Sequence, residues 1–166
     1  LAFLVQSIGL GCFYVFLDGE DGQKRTSRIS ENAVLGGMHT TDLNGETLSE
    51  LSSFLIENES EYGGKELILY GNIPGLSYYL DRASAIFTSW PDLDTNSLDR
   101  LNQDLKELTV NIREKGESKP LVILSTSCEE DHLSDGKDEK LSLITAFMKE
   151  NEYSQAFANE AYVVYE

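Results

Sequence analysis

The residues best suited to chemistry fall in three short breaks, each directly after an apolar run. They are Gly71-Asn72-Ile73-Pro74-Gly75, Ser89-Trp90-Pro91-Asp92 and Ser125-Thr126-Ser127. In an open α/β sheet, ligands sit beyond the carboxyl ends of the strands. Gly71 and Gly75 let a backbone approach a ligand closely, and Asn72 both donates and accepts hydrogen bonds. Trp90 offers a flat face of the kind that stacks on sugar rings, and Asp92 accepts from sugar hydroxyls. Gly71, Asn72, Gly75, Trp90 and Asp92 are therefore the candidate ligand-binding residues. Turn chemistry explains the same residue types: Pro and Gly turn the chain, Trp90 packs on the core, and Asp92 caps a turn. Tyr70, Tyr78 and Tyr79 surround the first break, which fits a binding face and equally the wet edge of a core.

No catalytic set emerges beside them. The phosphate loop GxxxxGK[ST] is absent, Gly71 to Gly75 lacks GxGxxG spacing, and no GxSxG elbow occurs. The two histidines are His39 and His132. A Ser/His/Asp triad through His132 would draw on Ser125 or Ser127, but serines and acids are too common here for that coincidence to mean much. Carboxylates gather at Asp18/Glu20/Asp21 and at Glu129-Glu130-Asp131, in hydrophilic loops where solvated acids make poor general acids. The turn cluster Asp18–Gly22 departs from EF-hand spacing. Asp81-Arg82 reads as a surface ion pair. Cys12 and Cys128 form no CxxC pair, and whether they bridge stays open. Cys12 lies in an apolar run and reads as a small buried hydrophobe. Cys128, with His132 four residues on, lacks the further ligands that a metal site needs. The expectation is no catalytic residue, no metal and no cofactor.

The breaks must be held by the elements around them. Thr47-Leu48-Ser49-Glu50 has the capping-box form, followed by Leu48, Leu51, Phe54 and Leu55 on one helical face. Glu66–Tyr70 reads as a strand, Leu76–Asp81 as a helical turn, and Ala85–Thr88 as a second short strand. Asp94 or Thr95 caps a helix to Lys115, with Leu98, Leu101, Leu105, Leu108 and Ile112 on one face and Gly116 as its stop. Pro120–Ser125 is a continuous apolar run, as expected of a strand buried on both faces. A helix from Lys137 to about Asn151 turns Leu141, Ile144, Phe147 and Met148 inward. Tyr153–Phe157 and Ala161–Tyr165 flank Ala158-Asn159-Glu160 as an antiparallel hairpin. Residues 24–41 read as a loop with a short strand near Ala33–Leu35. The pattern predicts an α/β fold, a Rossmann-like three-layer sandwich. Its sheet is mostly parallel, with a C-terminal antiparallel hairpin at one edge.

The 166 residues carry 29 acids against 13 Lys and Arg, a formal charge of −16. That field repels phosphate backbones, so nucleic acid is not an expected partner. Leu1–Leu17 is apolar apart from Gln6 and Ser7. It reads as the end of a transmembrane helix, as a first strand over Cys12–Leu17, or as both in succession. Residues 18–166 read as one soluble α/β domain.

Leu67–Asp81 (LILYGNIPGLSYYLD) followed by Ala85–Leu93 (AIFTSWPDL) resembles the C-terminal extracytoplasmic domain of certain large bacterial membrane proteins. Those are similar to polytopic glycosyltransferases of the dolichyl-phosphate-mannose–protein mannosyltransferase class. The apolar Leu1–Leu17, the stretch Gly36-Gly37-Met38-His39-Thr40-Thr41 before a helix, and the closing Tyr162-Val163-Val164-Tyr165 agree with it. The resemblance implies a domain outside the cell membrane that partners the membrane portion of its own parent chain, and a carbohydrate or lipid-linked sugar as ligand. The catalytic acid of such transferases lies in an early loop of the membrane portion, so the resemblance carries no catalytic residue onto this chain. Acceptor recognition, a lid or a structural role would remain. The alternative is a free-standing α/β small-ligand-binding domain or enzyme using the same strand ends.

Overall fold

A computed structural model describes residues 25–29, 35–128 and 139–166. Leu1–Leu17, Asp18–Gly22, residues 30–34, Glu129-Glu130-Asp131 and His132 lie outside the described residues. So do the readings placed on them, including Cys12. Contacts divide the chain into two compact units, Leu1–Ser49 and Glu50–Glu166.

In the first unit, β1 (Ser27–Arg28) pairs antiparallel with β2 (His39–Thr40). Leu35 lies in a turn rather than the expected strand. Helix α1 (Asp42–Glu57) starts before the expected box at Thr47. The amide of Asn44 donates to Thr41 Oγ1 at 3.3 Å, so Thr41 serves the helix start instead. Thr47 is buried in the helix interior, and its hydroxyl donates back to the Leu43 carbonyl at 2.9 Å. Gly45 brings the helix against β1: a Cβ there would stand 2.1 Å from Ser27 Oγ.

The second unit holds the rest of α1 from Glu50, then α2 (Glu59–Tyr62), β3 (Leu67–Tyr70), α3 (Gly75–Tyr79) and α4 (Leu98–Val110). The last of these runs on into a π-helical turn, Asn111–Lys115, that Gly116 ends at φ 69°. Strand β4 (Leu121–Ser125), helix α5 (Glu139–Glu150) and the hairpin β5 (Gln155–Ala158) and β6 (Tyr162–Tyr165) complete it. Helix α4 is capped by Ser97, whose hydroxyl accepts from the Arg100 amide, and not by Asp94 or Thr95.

The sheet runs β3-β4-β6-β5. Only β3 and β4 pair in parallel; β4–β6 and β6–β5 are antiparallel. The fold is therefore mixed α/β with a mixed sheet, not a mostly parallel one. The expected strand Ala85–Thr88 does not form, which removes a further parallel pair. One bridge, Leu67 to Ser84, survives beside β3. Side chains satisfy the backbone that follows: Ser84 Oγ donates to the Thr88 carbonyl, and Asp104 accepts from the Phe87 amide at 2.8 Å. A segment whose polar groups are served by side chains gains little from a ladder.

Both faces of the central strands are buried, as the apolar runs require. Ile68, Tyr70, Val122 and Leu124 pack with Leu101 and Leu105 of α4 and with Ile144, Phe147 and Met148 of α5. The predicted stripes of both helices are thus the ones that meet the sheet. Leu67, Leu69, Leu121 and Ile123 point the other way by strand alternation and are equally buried. Val164 shares that face as partner of Ile123 and Phe157, and Phe54 of α1 stacks on Phe157 at 4.8 Å. Among the described residues no helix is long and apolar enough to cross a membrane.

Candidate functional site

The carboxyl end of β3 turns abruptly. Gly71 has φ 101° and Asn72 φ 59°, two successive residues in the left-handed region. Gly71 is required for a second reason: a Cβ there would lie 2.3 Å from Cys128 Sγ and 2.6 Å from Ser125 Cβ. Its lack of a side chain lets the β3 exit lie flat against the β4 exit. The close approach is to the protein's own core, so Gly71 shapes from below the crest, the surface made by the turn 71–75 and the loop 89–92 that hydrogen bonding joins at Asn72 and Asp92. Gly75, at the start of α3, meets no atom within 4 Å of a built Cβ and is exposed.

Asn72 and Asp92, twenty residues apart, are brought together. The Asn72 amide donates to Asp92 Oδ2 at 2.5 Å. That leaves the Asn72 side chain exposed on the crest, with Trp90 two residues from the carboxylate and only partly buried. Pro91, not Trp90, anchors this loop and is among the most deeply buried side chains of the chain. The loop closes on itself. Trp90 N donates to Thr88 Oγ1, and the Trp90 carbonyl accepts from Asn96 Nδ2 at 2.5 Å. From α5, Lys140 Nζ reaches the Leu93 carbonyl at 2.8 Å. The Asp92 carboxylate thus serves the distant turn at Asn72. Trp90 is partly buried.

The β4 exit stands alongside. Ser125 Oγ and Ser127 Oγ are 2.8 Å apart, and Thr126 ties the exit to the β5–β6 turn through the carbonyls of Ala161 and Glu160. Ser125 is opposite Tyr162 in the sheet register. Burial pushes the hydroxyls of Tyr162 and Tyr79 above the ordinary tyrosine range, so both stay neutral. Tyr70 and Tyr79 are core residues, whereas Tyr78 is 66% exposed on α3. The tyrosines near the break thus divide between core and surface. Among the described residues no group of three His, Cys, Asp or Glu is arranged to hold a metal ion.

Two supports were not foreseen from the sequence. Asp104 is a buried acid on the inner face of α4, held by Arg100 Nε at 2.9 Å while it accepts from Phe87 N. Its signal was an acid inside the Leu101–Leu105 stripe. Arg82 does not pair with Asp81. It is largely buried, faces Glu59 at 3.6 Å and donates to the Tyr62 carbonyl. Asp81 itself takes φ 50° and ends the α3 turn. The chain matches no family model, no curated protein and no solved structure.

Proposed function

We propose that this chain is the soluble extracytoplasmic domain of a membrane-embedded, glycosyltransferase-like protein, and that its crest recognises carbohydrate for the membrane portion of the same parent chain. The fold this reading takes is a Rossmann-like three-layer arrangement, with α4 and α5 on one face of the sheet and the second half of α1 on the other. Gly71, Asn72, Gly75, Trp90 and Asp92 form the recognition surface. Gly71 acts on it from beneath, by seating the turn.

The observation that carries the reading is the hydrogen bond from Asn72 to Asp92. It joins the two halves of the segment 67–93 on which the resemblance rests, tying the turn that carries the exposed Asn72 to the loop that carries the partly buried Trp90. An amide and an aromatic face are what a sugar needs: hydrogen bonds for its hydroxyls and a flat apolar surface for its C–H face. The apolar run Leu1–Leu17 supports the membrane attachment.

The experiment is sugar transfer by the full-length parent in lipid nanodiscs, comparing wild type with Asn72→Gly and Trp90→Ala. A rise in acceptor KM with the donor KM unchanged is expected. Unchanged kinetics in both variants would remove the recognition role. A parent gene encoding no series of hydrophobic spans would remove the membrane assignment.

A further inference from the structure

The geometry points to a second, separate interaction surface: the outer edge of β5, which takes an extended basic segment of a partner protein as a further strand. The sheet order puts β5 last, beside β6 alone. Ser154 and Glu166 exchange both backbone hydrogen bonds, and Gln155 comes next, opposite Tyr165. In an antiparallel ladder bonded pairs alternate with unbonded ones, so the N–H and C=O of Gln155 face away from β6. At the other end the Asn159 amide donates to the Tyr162 carbonyl, which turns Ala158 outward in the same way. The bulge between Gln155 and Phe157 keeps Gln155 and Ala158 in phase; without it they would face opposite sides. Both are exposed, and among the described residues no backbone hydrogen bond from another element reaches either. Edge strands are commonly guarded by Lys, Pro or an inward charge, and Gln155-Ala156-Phe157-Ala158 has none of these.

The chemistry of the occupant follows from what lines that edge. On the α1 face, Phe157 stacks on Phe54 at 4.8 Å, and Tyr62 follows at 5.5 Å from Phe54. Carboxylates stand at both ends of this aromatic row. Glu50 accepts from Asn159 Nδ2 at the hairpin end, and Glu166 bonds the Tyr62 hydroxyl at the other. Residues 50–64 and 150–166 each hold four Glu and no Lys or Arg, so any counter-charge must come from elsewhere. Lys65 stands over the Tyr62 ring at 5.3 Å, and Arg82 is held by Glu59 and the Tyr62 carbonyl. Arg113 pairs with Glu150, and Lys119 lies over Tyr153, which packs with the α4–α5 core. Glu50, Glu160 and Glu166 make no ion pair among the described residues. A basic side chain on an added strand therefore finds an unneutralised carboxylate at either end, and an apolar one between meets the Phe54–Phe157 stack. Main-chain hydrogen bonds supply affinity and these side-chain contacts specificity. A second copy of this chain is the wrong occupant, because it brings a net charge of −16 against the same carboxylates.

The test titrates the 166-residue chain with acetyl-KVKVKVK-amide in a calorimeter. Saturable binding is expected, weakening about tenfold as salt rises from about 0.05 to about 0.5 M. Acetyl-EVEVEVE-amide should not bind. Nor should the basic peptide N-methylated at every residue, which keeps its charge and loses its donors. Ala158→Pro should abolish binding with melting and circular dichroism unchanged, since the amide it removes faces outward and an edge tolerates proline. Should that variant fail to fold, the N-methylated peptide decides on the wild-type chain. Glu160→Lys, at an exposed turn position, should weaken binding severalfold at low salt. Binding that survives N-methylation, or that the acidic peptide shares, overturns the inference, as does no binding at all. So does a dimer of the free chain in sedimentation that Ala158→Pro dissolves. Strands β3 and β5 are opposite edges of the sheet, so the carbohydrate reading of the crest stands or falls separately.

Discussion

Replacing Gly71 by alanine should destabilise the fold more than any other single methyl added at the crest. Two costs act together. A φ of 101° is foreign to an L residue, which costs about 1–2 kcal/mol. The new Cβ would also stand 2.3 Å from Cys128 Sγ and 2.6 Å from Ser125 Cβ. Cys128 is buried, and Ser125 belongs to the central strand β4, so neither retreats easily. Overpacking of this kind adds about 1–3 kcal/mol. The sum is roughly 2–5 kcal/mol, a fall in melting temperature of roughly 5–15 °C for a chain of this size. Urea unfolding followed by circular dichroism and by Trp90 emission measures it. The double variant Gly71→Ala/Cys128→Ala should recover part of the loss and no more, because the Ser125 contact and the backbone strain remain. Gly75→Ala is the control: it meets open space, is not at positive φ, and should be neutral or stabilising by about 0.4–1 kcal/mol. If Gly71→Ala costs no more than Gly75→Ala, the close seating of the two strand exits is wrong.

Asp104→Ala should cost about 1–3 kcal/mol in thermal unfolding, because the Phe87 amide loses its buried acceptor; a loss equal to that of an exposed acid such as Asp99 would contradict this. Leu101→Ala, at a fully buried position between α4 and the sheet, should cost about 2–5 kcal/mol by the same measurement. Alkaline pH should unfold the chain steeply. Burial, with Glu166 beside it, pushes the Tyr62 hydroxyl up to about 12, and Tyr79, Tyr153 and Tyr162 are raised in the same direction. The folded state therefore favours the neutral phenols. Their stabilisation is complete below pH 10 and, for Tyr62, is lost between pH 10 and 12. Absorbance at 295 nm should show these tyrosines ionising late and together with loss of structure; a single smooth titration near 10 with the fold intact would refute it. Asp92→Ala should shift Trp90 emission while leaving melting within about 1.5 kcal/mol of wild type, since it removes one partly exposed hydrogen bond.

The helices and buried strands were legible because their signals are collective. Four or five apolar residues at spacings of three and four fix the inner face of α4 whatever its neighbours do. The run Leu121–Leu124 has no polar face to expose, so it is buried on both sides. The hairpin was legible from its turn residues. Asn159 Oδ1 accepts from the amides of both Ala161 and Tyr162, a local bond that needs no distant partner. Boundaries set by one hydroxyl were less legible. Thr41, Thr47, Asp94, Thr95 and Ser97 all have the chemistry to cap a helix, and packing decides which does.

Strand direction was the largest miss. Alternating strands and helices imply a parallel sheet only if each apolar run becomes a strand; here the Ala85 amide still donates to the Leu67 carbonyl, but those of Ile86 and Phe87 go to side chains instead. At the crest, the residue types were legible but the pairing was not. Nothing local marks Asp92 as the partner of Asn72, and nothing marks Pro91 rather than Trp90 as the buried one. Those outcomes depend on where β3 and the loop lie in three dimensions. Gly71 was read as letting the backbone approach a ligand; the close approach that the structure describes is to Cys128 and Ser125.

The strand order has a consequence for how the chain is made. Strand β6 lies between β4 and β5, yet it is the last of the sheet's four strands to be synthesised. Until Tyr162–Tyr165 arrive, β4 is unpaired along one side, and that side belongs to the most apolar strand among the described residues. A nascent or stalled chain therefore presents a sticky edge that the finished one conceals. The hairpin turn at Asn159 shortens the exposure, since β5 and β6 can zip locally and dock on β4 as a unit. Slowing that turn, for instance with Asn159→Ala, would lengthen the window for aggregation during synthesis even if the completed fold stayed sound.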